Sequence, residues 1–300
     1  MAQTRVPSEA AGRRVDHALA DALPALGVAG ARRLLAAGSV RVDGRRVRKG
    51  DKLAAGQTIA VDDAALAAET ARHGEAPVRP DPGLTLAVLF ADDTLVAVAK
   101  PSGVPSHPLQ PGQLGTAANA ICAQFPSCAS ASPDAREGGL VHRLDTGTSG
   151  VLIAARTAAA WASLRAALTA DDCEKTYLAE VTGAPPGGGV EEAPIGRVGR
   201  RGARVRVGGG RRPLEARTVW QLVELRAATA LVRAQLHAGR THQVRAHLAA
   251  AGHPVVGDEH YGAGGGPLRL HAAAVRFRHP ISGHTILIEA PPPDWAMIRP

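Results

Sequence analysis

Three stretches of the 300-residue sequence concentrate side chains that could do chemistry. The middle one, His142-Arg-Leu-Asp-Thr-Gly-Thr-Ser-Gly150, places the carboxyl group of Asp145 among basic and small residues. A positioned carboxylate can act as a nucleophile or as a general base. The flanking stretches are Lys100-Pro-Ser-Gly-Val-Pro-Ser-His107 and His237-Ala-Gly-Arg-Thr-His-Gln-Val-Arg-Ala-His247. A site built around Asp145 is therefore the first possibility to weigh.

Metal and nucleotide chemistry find no support in these motifs. On a helix, His242 and His247 would be about 140° apart around the axis, and neither His-x-x-x-His nor His-Glu-x-x-His occurs. The glycine-rich segments 196–202 and 262–266 match neither Gly-x-Gly-x-x-Gly nor the phosphate-binding P-loop. We therefore expect no metal site.

The tetrapeptide Asp145-Thr-Gly-Thr148 raises the possibility of an acid hydrolase. Aspartic proteases need two carboxylates that share a proton, and the chain has no second Asp-Thr-Gly or Asp-Ser-Gly. A homodimer could supply the partner, but His142-Arg-Leu144 stands where such a protease favours apolar residues. The tetrapeptide alone does not establish a protease.

With its flanks included, residues 142–150 resemble the catalytic motif of the RluA family of pseudouridine synthases, His-Arg-Leu-Asp-x-x-[Thr/Ser]-Ser-Gly. Further segments similar to that family follow in its order along the chain: Lys100-Pro-Ser-Gly103, Lys175-Thr-Tyr177, Gly239-Arg-Thr-His-Gln-Val-Arg245, Gly252-His-Pro-Val-Val-Gly-Asp258, Tyr261-Gly262 and His271-Ala272. The resemblance implies an enzyme that isomerises uridine in RNA to pseudouridine without a cofactor.

The resemblance also implies roles for individual residues. Asp145 is the catalytic carboxylate, acting as a nucleophile on C1′ or as a base at C2′ of the ribose. Arg240 is expected to form a salt bridge with Asp145, and Tyr177 to stack on the extruded base. Arg143 either binds phosphate, occupies the space of the flipped nucleotide or organises its loop by an ion pair. His142 is expected to hold the pocket loops by hydrogen bonds.

Positive charge is concentrated at the N-terminus of this chain, whose net charge is +8. Residues 1–61 carry 11 Lys or Arg against 5 Asp or Glu. Apolar periodicity predicts two helices ending at Gly38, and Asp43-Gly44 predicts a hairpin after them. Residues 13–61 resemble an S4 RNA-binding domain through Gly38-Ser-Val-Arg-Val-Asp-Gly44. The resemblance and the charge predict RNA contacts, against the alternative of a solvated face, for Arg32, Arg33, Arg41, Arg45, Arg46, Arg48 and Lys49.

The rest of the chain divides by composition. Residues 1–12 are expected to be a tail, and residues 62–83, with charge, alanine and three prolines, a linker. Residues 84–300 alternate short apolar runs with Gly and Pro, and are helical chiefly at Thr157–Leu168 and Thr241–Ala251. This pattern predicts an α+β catalytic domain with a mixed, mainly antiparallel sheet, preceded by a small α/β S4-like domain. The basic segment 197–217, with eight arginines, either contacts nucleic acid or is a solvated loop.

The expected partner is RNA: the resemblance implies large-subunit ribosomal RNA, on which S4-bearing members of the family commonly act, with tRNA as the alternative. The N-terminus lacks an apolar signal region and no apolar run approaches the ~18 residues of a membrane span, so we expect a cytoplasmic protein without membrane association. We expect a monomer with no obligate protein partner. A noncatalytic RNA-binding or assembly protein is the alternative to an enzyme.

Overall fold

The computed structural model describes residues 2–5, 11–23, 26–73, 78–110, 112–198, 204–236 and 239–298. The chain separates into two compact units, Met1–Ala76 and Pro77–Pro300. No helix in these described ranges is long and apolar enough to cross a membrane.

The first unit packs helices on a small antiparallel sheet. Its helices are α1 (Val15–Ala22), α2 (Gly27–Ala37) and α3 (Asp63–His73), and its strands are β1 (Ala2–Arg5), β2 (Val40–Val42), β3 (Arg45–Arg46) and β4 (Thr58–Val61), in the spatial order β1-β4-β2-β3. α2 ends at Gly38, whose φ of 73° is readily adopted only without a Cβ. Asp43 and Gly44, with φ of 48° and 76°, turn β2 into β3 at the predicted hairpin position.

Two expectations about the ends of this unit are wrong. Residues 2–5 of the expected tail form β1, whose backbone pairs with β4, so the strand is specified by an available sheet edge rather than by an apolar pattern of its own. The expected linker contains α3, of which Ala65 and Leu66 pack against the core. Such a short apolar face in an alanine-rich, charged segment gives no clear helical period. Residues 1, 6–10 and 74–77 of these two segments lie outside the described residues.

The second unit is built around a nine-stranded sheet in the described residues. Its strands are β5 (Ala87–Ala91), β6 (Leu95–Lys100), β7 (Ser149–Ala155), β8 (Glu174–Thr182), β9 (Gly188–Glu191), β13 (Thr218–Leu225), β14 (Thr229–Leu236), β15 (Leu270–Arg278) and β16 (Thr285–Glu289). The sheet order is β5-β6-β7-β15-β8-β14-β13-β9, with β16 paired to β15. The pairing of β7 with β15 is parallel and the other pairings are antiparallel, which confirms the predicted α+β class with a mixed, mainly antiparallel sheet.

Helices and a small separate sheet complete the second unit. The helices are α4 (Ala117–Gln124), α5 (Ala158–Ala167) and α6 (Gln243–Ala250), of which α5 and α6 confirm the two predicted helices. The basic segment forms a three-stranded sheet of β10 (Ile195–Val198), β11 (Arg204–Val207) and β12 (Arg211–Leu214), in the order β11-β10-β12. Residues 199–203 of this segment lie outside the described residues.

The centre of the large sheet brings distant motifs into one row. Gly150 on β7 pairs with Ala272 on β15, and Ala272 pairs with Tyr177 on β8. A Cβ at Gly150 would overlap the carbonyl oxygen of Ala272, and its φ of 117° disfavours any other residue. The glycine that ends the Asp145 motif therefore permits the close strand contact that sets this loop beside Tyr177.

Candidate active site

A cleft of about 1060 Å³ lies in the second unit and is lined by side chains from the separated motifs. Asp145 and Arg143 come from the loop before β7, Tyr177 from β8, Arg240 from the loop before α6, and Arg245 from α6 itself. The fold thus gathers residues that lie up to 102 positions apart in sequence around one carboxylate. A half-buried carboxylate at the wall of an open cleft is accessible to a substrate.

Arg245, rather than Arg240, forms the salt bridge to Asp145. Nη1 of Arg245 donates to Oδ2 of Asp145 at 2.6 Å, and the Arg245 side chain is only 9% exposed. The Nε of Arg240 instead donates to the backbone carbonyl of Glu215 at 3.0 Å. The expected pairing of Arg240 with Asp145 is therefore wrong, because α6 begins at Gln243 and directs Arg245 inward while Arg240 remains in the preceding loop.

Arg245 is itself held by a second carboxylate. Its Nε and Nη2 donate to Oδ2 and Oδ1 of Asp258 at 2.7 and 2.8 Å, the two-pronged geometry that arginine and carboxylate favour. Burial alone would raise the pKa of Asp258, but the hydrogen bonds from Arg245 and from the amides of His260 and Tyr261 hold it below its ordinary value. The fully buried, charged Asp258 therefore fixes the guanidinium that binds Asp145.

His242 lies on the other side of the Asp145 carboxylate. Its Nε2 is 3.6 Å from Oδ1 of Asp145, too far for a hydrogen bond, and its Nδ1 is 3.0 Å from the hydroxyl of Tyr261. The backbone of His242 is left-handed, with φ of 55°, immediately before α6. Burial lowers the pKa of His242, an effect that the Asp145 charge partly opposes and the Arg245 charge reinforces. At neutral pH the imidazole is therefore uncharged.

The loop that carries Asp145 is fastened to the Lys100–His107 stretch. Nζ of Lys100 donates to the carbonyls of Pro101, Val104 and Thr146 at 2.9, 2.6 and 3.1 Å. The Ser106 hydroxyl donates to the carbonyl of Leu144 and accepts from its amide, at 2.7 and 3.0 Å. Burial lowers the pKa of Lys100 to about 8, which the Asp145 charge partly opposes. These contacts hold both neighbours of Asp145 in place.

Tyr177 presents its ring to the cleft from the middle of the large sheet. It pairs with Ala234 on β14 and with Ala272 on β15, so two small residues flank it across the sheet. Its ring is partly buried against two apolar clusters of the core. Burial raises the pKa of the phenol, as does the Asp145 charge, so the hydroxyl stays neutral. An aromatic face beside the carboxylate can stack on a nucleobase.

The two residues before Leu144 have different surroundings. Nε2 of His142 accepts the amide hydrogen of Ile153 at 3.1 Å, and burial lowers the pKa of His142 to about 3, with the Lys175 charge acting in the same direction. His142 therefore holds the loop against β7 as a neutral acceptor. Arg143 is exposed at the cleft and has no hydrogen bond or ion pair to any described residue.

Sequence reasoning missed Arg245 and Asp258 as members of the site. Both stand in segments already singled out, Gly239–Arg245 and Gly252–Asp258, each as the terminal residue. A signal for Arg245 was its place in an apolar-periodic helix, two residues after Gln243 and next to Val244 and Ala246, where an arginine needs a buried partner.

The basic residues predicted to contact RNA in the first unit fall into two groups. Arg32 donates to the buried Asp16 at 2.8 Å, and Arg33 to the nearly buried Glu69 at 2.8 Å. Burial would raise the pKa of Asp16, but hydrogen bonds from Arg14 and Arg32 keep it below its ordinary value. The exposed group, on and after the β2–β3 hairpin, consists of Arg41, Arg45, Arg46, Arg48 and Lys49.

Comparison with known proteins finds one family and many relatives. Residues 94–250 match the model of the family described as RNA pseudouridylate synthase. The chain is 37% identical to ribosomal large subunit pseudouridine synthase D of Xanthomonas campestris, over 97% of this chain and 89% of that protein. It is 33% identical to ribosomal large subunit pseudouridine synthase C of Escherichia coli O157:H7, over 96% of this chain and 92% of that protein.

A solved structure shares the fold. The structure of human RNA pseudouridylate synthase domain containing 1 superposes with a TM-score of 0.57 at 26% identity, covering 71% of this chain and 86% of that one. The similarity agrees with the mixed sheet and its helices described above.

Proposed function

The chain belongs to the RNA pseudouridylate synthase family and is an enzyme of that class, and we propose that its substrate is large-subunit ribosomal RNA. The noncatalytic alternative raised by the sequence is thereby excluded. The two relatives compared above, which match almost the whole chain, are named ribosomal large subunit pseudouridine synthases, and this favours large-subunit ribosomal RNA over tRNA.

The proposed reaction moves uracil on its own ribose. The bond from N1 to C1′ breaks, a bond from C5 to C1′ forms, the C5 proton leaves to solvent and N1 takes up a proton. No electrons enter or leave, and every heavy atom of the product comes from the uridine. The step therefore requires a group beside the sugar that acts on C1′ or on the C2′ proton.

The observation that carries the proposal is the carboxylate of Asp145, held at 2.6 Å by Arg245 on the wall of the cleft. Arg245 binds Oδ2, so Oδ1 has no hydrogen bond to a described residue and is free to approach the ribose. Both roles of the carboxylate, nucleophile at C1′ and base at C2′, are compatible with this arrangement. Asp258 holds the Arg245 guanidinium in the position from which it donates to the Asp145 carboxylate.

Uridine in structured RNA must leave its stack before the glycosidic bond can reach Asp145. Tyr177 supplies the aromatic face on which the extruded base rests while it turns. Arg143, exposed and without a hydrogen bond or ion pair to any residue that the structure describes, binds an adjacent phosphate or fills the space that the nucleotide vacates. Arg240 borders the same cleft, where its positive charge attracts the RNA substrate instead of pairing with Asp145.

The first unit is proposed to act as an S4-like RNA-binding domain. Support comes from its two helices, its Asp43-Gly44 hairpin and the exposed basic residues on and after that hairpin. Arg32 and Arg33 have structural roles in this proposal, since each binds a buried or nearly buried carboxylate. An RNA substrate is consistent with the expected cytoplasmic location, and the expected monomer remains a prediction.

The test is release of tritium from an unmodified transcript of large-subunit ribosomal RNA that carries 5-tritiated uridine. We expect release by the parent protein and by Asp171→Asn, which alters an exposed carboxylate outside the cleft, and none by Asp145→Asn. Equal release by Asp145→Asn and the parent would remove Asp145 from the mechanism. Release from tRNA transcripts alone would replace the proposed substrate.

A further inference from the structure

The small sheet β10–β12 has two chemically different faces. On β11, Val205 is buried while Arg204 and Arg206 on either side of it are exposed. The buried face packs with Ala246 of α6 and with Tyr261. The alternation of arginine and valine therefore leaves a basic outer surface on a sheet whose inner surface is anchored to the helix that carries Arg245.

The strands of this sheet carry exposed arginines on both of its faces. Arg197 on β10 lies directly opposite Arg211 on β12, and like charges at such paired positions repel each other. Arg197, Arg204, Arg206, Arg211 and Arg212 are all exposed, and within the described residues none of them forms a salt bridge. Arg197 also pairs with the buried Val205, so Arg197 and Arg211 lie on the inner side of the sheet, whereas Arg204 and Arg206 form the basic outer face.

Hydrogen bonds fix the sheet beside the cleft. The amide of Val205 donates to the Tyr261 hydroxyl at 2.9 Å, and that hydroxyl is 3.0 Å from Nδ1 of His242, which faces Asp145. Arg204 also reaches the carbonyl of Glu259, a residue that lines the cleft, at 3.5 Å. Only two side chains thus separate the backbone of β11 from the carboxylate.

We propose that the sheet β10–β12 is a second RNA-binding surface, which grips the phosphate backbone next to the uridine in the cleft. This inference rests on the proposed RNA substrate. The charge of the surface is complementary to a polyanion, and its attachment through Tyr261 sets it at the side of the reacting nucleotide. Arg204 and Arg206 on its outer face bind phosphates of the same RNA strand or of its pairing partner, independently of base sequence.

The test measures binding of the large-subunit ribosomal RNA transcript to Asp145→Asn protein, so that turnover does not complicate the affinity. Arg204→Gln and Arg206→Gln are added singly and together, with Arg278→Gln as the control. Arg278 is exposed at the end of β15 remote from the Gly150–Ala272 pairing and has no salt bridge to a described residue. Each of the four proteins is titrated with RNA over a series of salt concentrations.

We expect the double variant to bind at least tenfold more weakly than the control, and each arginine–phosphate interaction removed should make the salt dependence shallower by about 0.7–0.9. Affinity and salt dependence equal to those of Arg278→Gln would overturn the proposal. Tritium release by the same substitutions in the Asp145-containing protein separates the two hypotheses. If the parent releases tritium while the sheet variants bind normally, this inference alone fails, whereas weakened binding without release by any protein contradicts only the proposed function.

Discussion

Nη1 of Arg245 lies 2.6 Å from Oδ2 of Asp145, and the rest of the same guanidinium is bound by Asp258. One arginine thus bridges a half-exposed carboxylate at the cleft and a fully buried one behind it. The position of Asp145 therefore depends on the loop that carries Asp258. No local sequence motif contains both carboxylates.

Replacing Arg245 by Gln should harm both catalysis and stability. Asp258 would be left buried and unpaired, which costs about 3–5 kcal/mol, and Asp145 would lose its partner. We expect kcat for tritium release to fall at least 100-fold. Arg240→Gln should instead alter the unfolding free energy by less than about 1 kcal/mol and act mainly on KM.

Two measurements check this prediction. Urea unfolding followed by tryptophan fluorescence reports on the second unit alone, because Trp161, Trp220 and Trp295 all lie in it. Arg245→Lys, which keeps the charge but loses the fork, should recover stability in part and kcat little. An equal loss of kcat in Arg240→Gln and Arg245→Gln would contradict the assignment of the pair.

Tyr177 should act through its ring rather than its hydroxyl. Burial raises its phenol pKa, so the group gives up no proton near neutral pH. Tyr177→Phe is expected to retain kcat within about tenfold, whereas Tyr177→Leu should lose at least 100-fold, since only an aromatic face stacks on a base. Tritium release by both variants provides the comparison, and equal inactivity would favour a proton role for the hydroxyl.

In the first unit, substitution of the exposed arginines should weaken RNA binding, whereas substitution of an arginine that pairs with a buried carboxylate should lower stability. Arg45→Gln and Arg48→Gln remove exposed charge, so RNA affinity and its salt dependence should decrease with little change in stability. Arg32→Gln leaves buried Asp16 with Arg14 as its remaining partner and should destabilise α1 and α2 by about 1–3 kcal/mol. Hydrogen exchange of those helices and RNA titrations distinguish the two effects. Loss of protection in Arg45→Gln with normal RNA binding would refute the division.

His142 should make the second unit less stable in mild acid. Its folded pKa of about 3 lies below the unfolded value of 6.5, so below pH 6.5 the unfolded chain binds a proton that the folded chain refuses. Between pH 7.5 and 5.5 this one residue should lower the unfolding free energy on the order of 1 kcal/mol. Stability is thus greater above pH 6.5 and falls until the pH reaches the folded pKa.

His142→Gln isolates that contribution, because its amide oxygen can still accept the hydrogen bond from Ile153 and it does not titrate. Its unfolding free energy, measured by tryptophan fluorescence in urea, should decrease less than that of the parent between the same two pH values. His284→Gln, at an exposed histidine, is the control. An identical pH dependence in parent and His142→Gln would show that His142 is not held neutral by the fold.

The sequence by itself determined the local elements and predicted Asp145 as the reacting residue. The apolar runs at 95–99, 151–155 and 230–236 became strands, and Asp43-Gly44 became a turn, because strand alternation and turn geometry depend on adjacent residues. The flanks of Asp145 carry that prediction. A loop that must fit closely against a neighbouring strand restricts its own sequence, as Gly150 shows.

Tertiary structure alone decided which charges meet. Arg240 and Arg245 are five residues apart in one motif, and their sequence neighbourhood does not say which of them faces Asp145. The start of α6 at Gln243 and the buried carboxylate of Asp258 made that choice. Arg32 similarly binds Asp16 where α1 packs on α2. The sequence predicts an RNA contact for Arg32, as it does for the exposed Arg45. Ion pairs form between side chains brought close by packing, and their stabilisation depends on burial, which a linear pattern of charges does not contain.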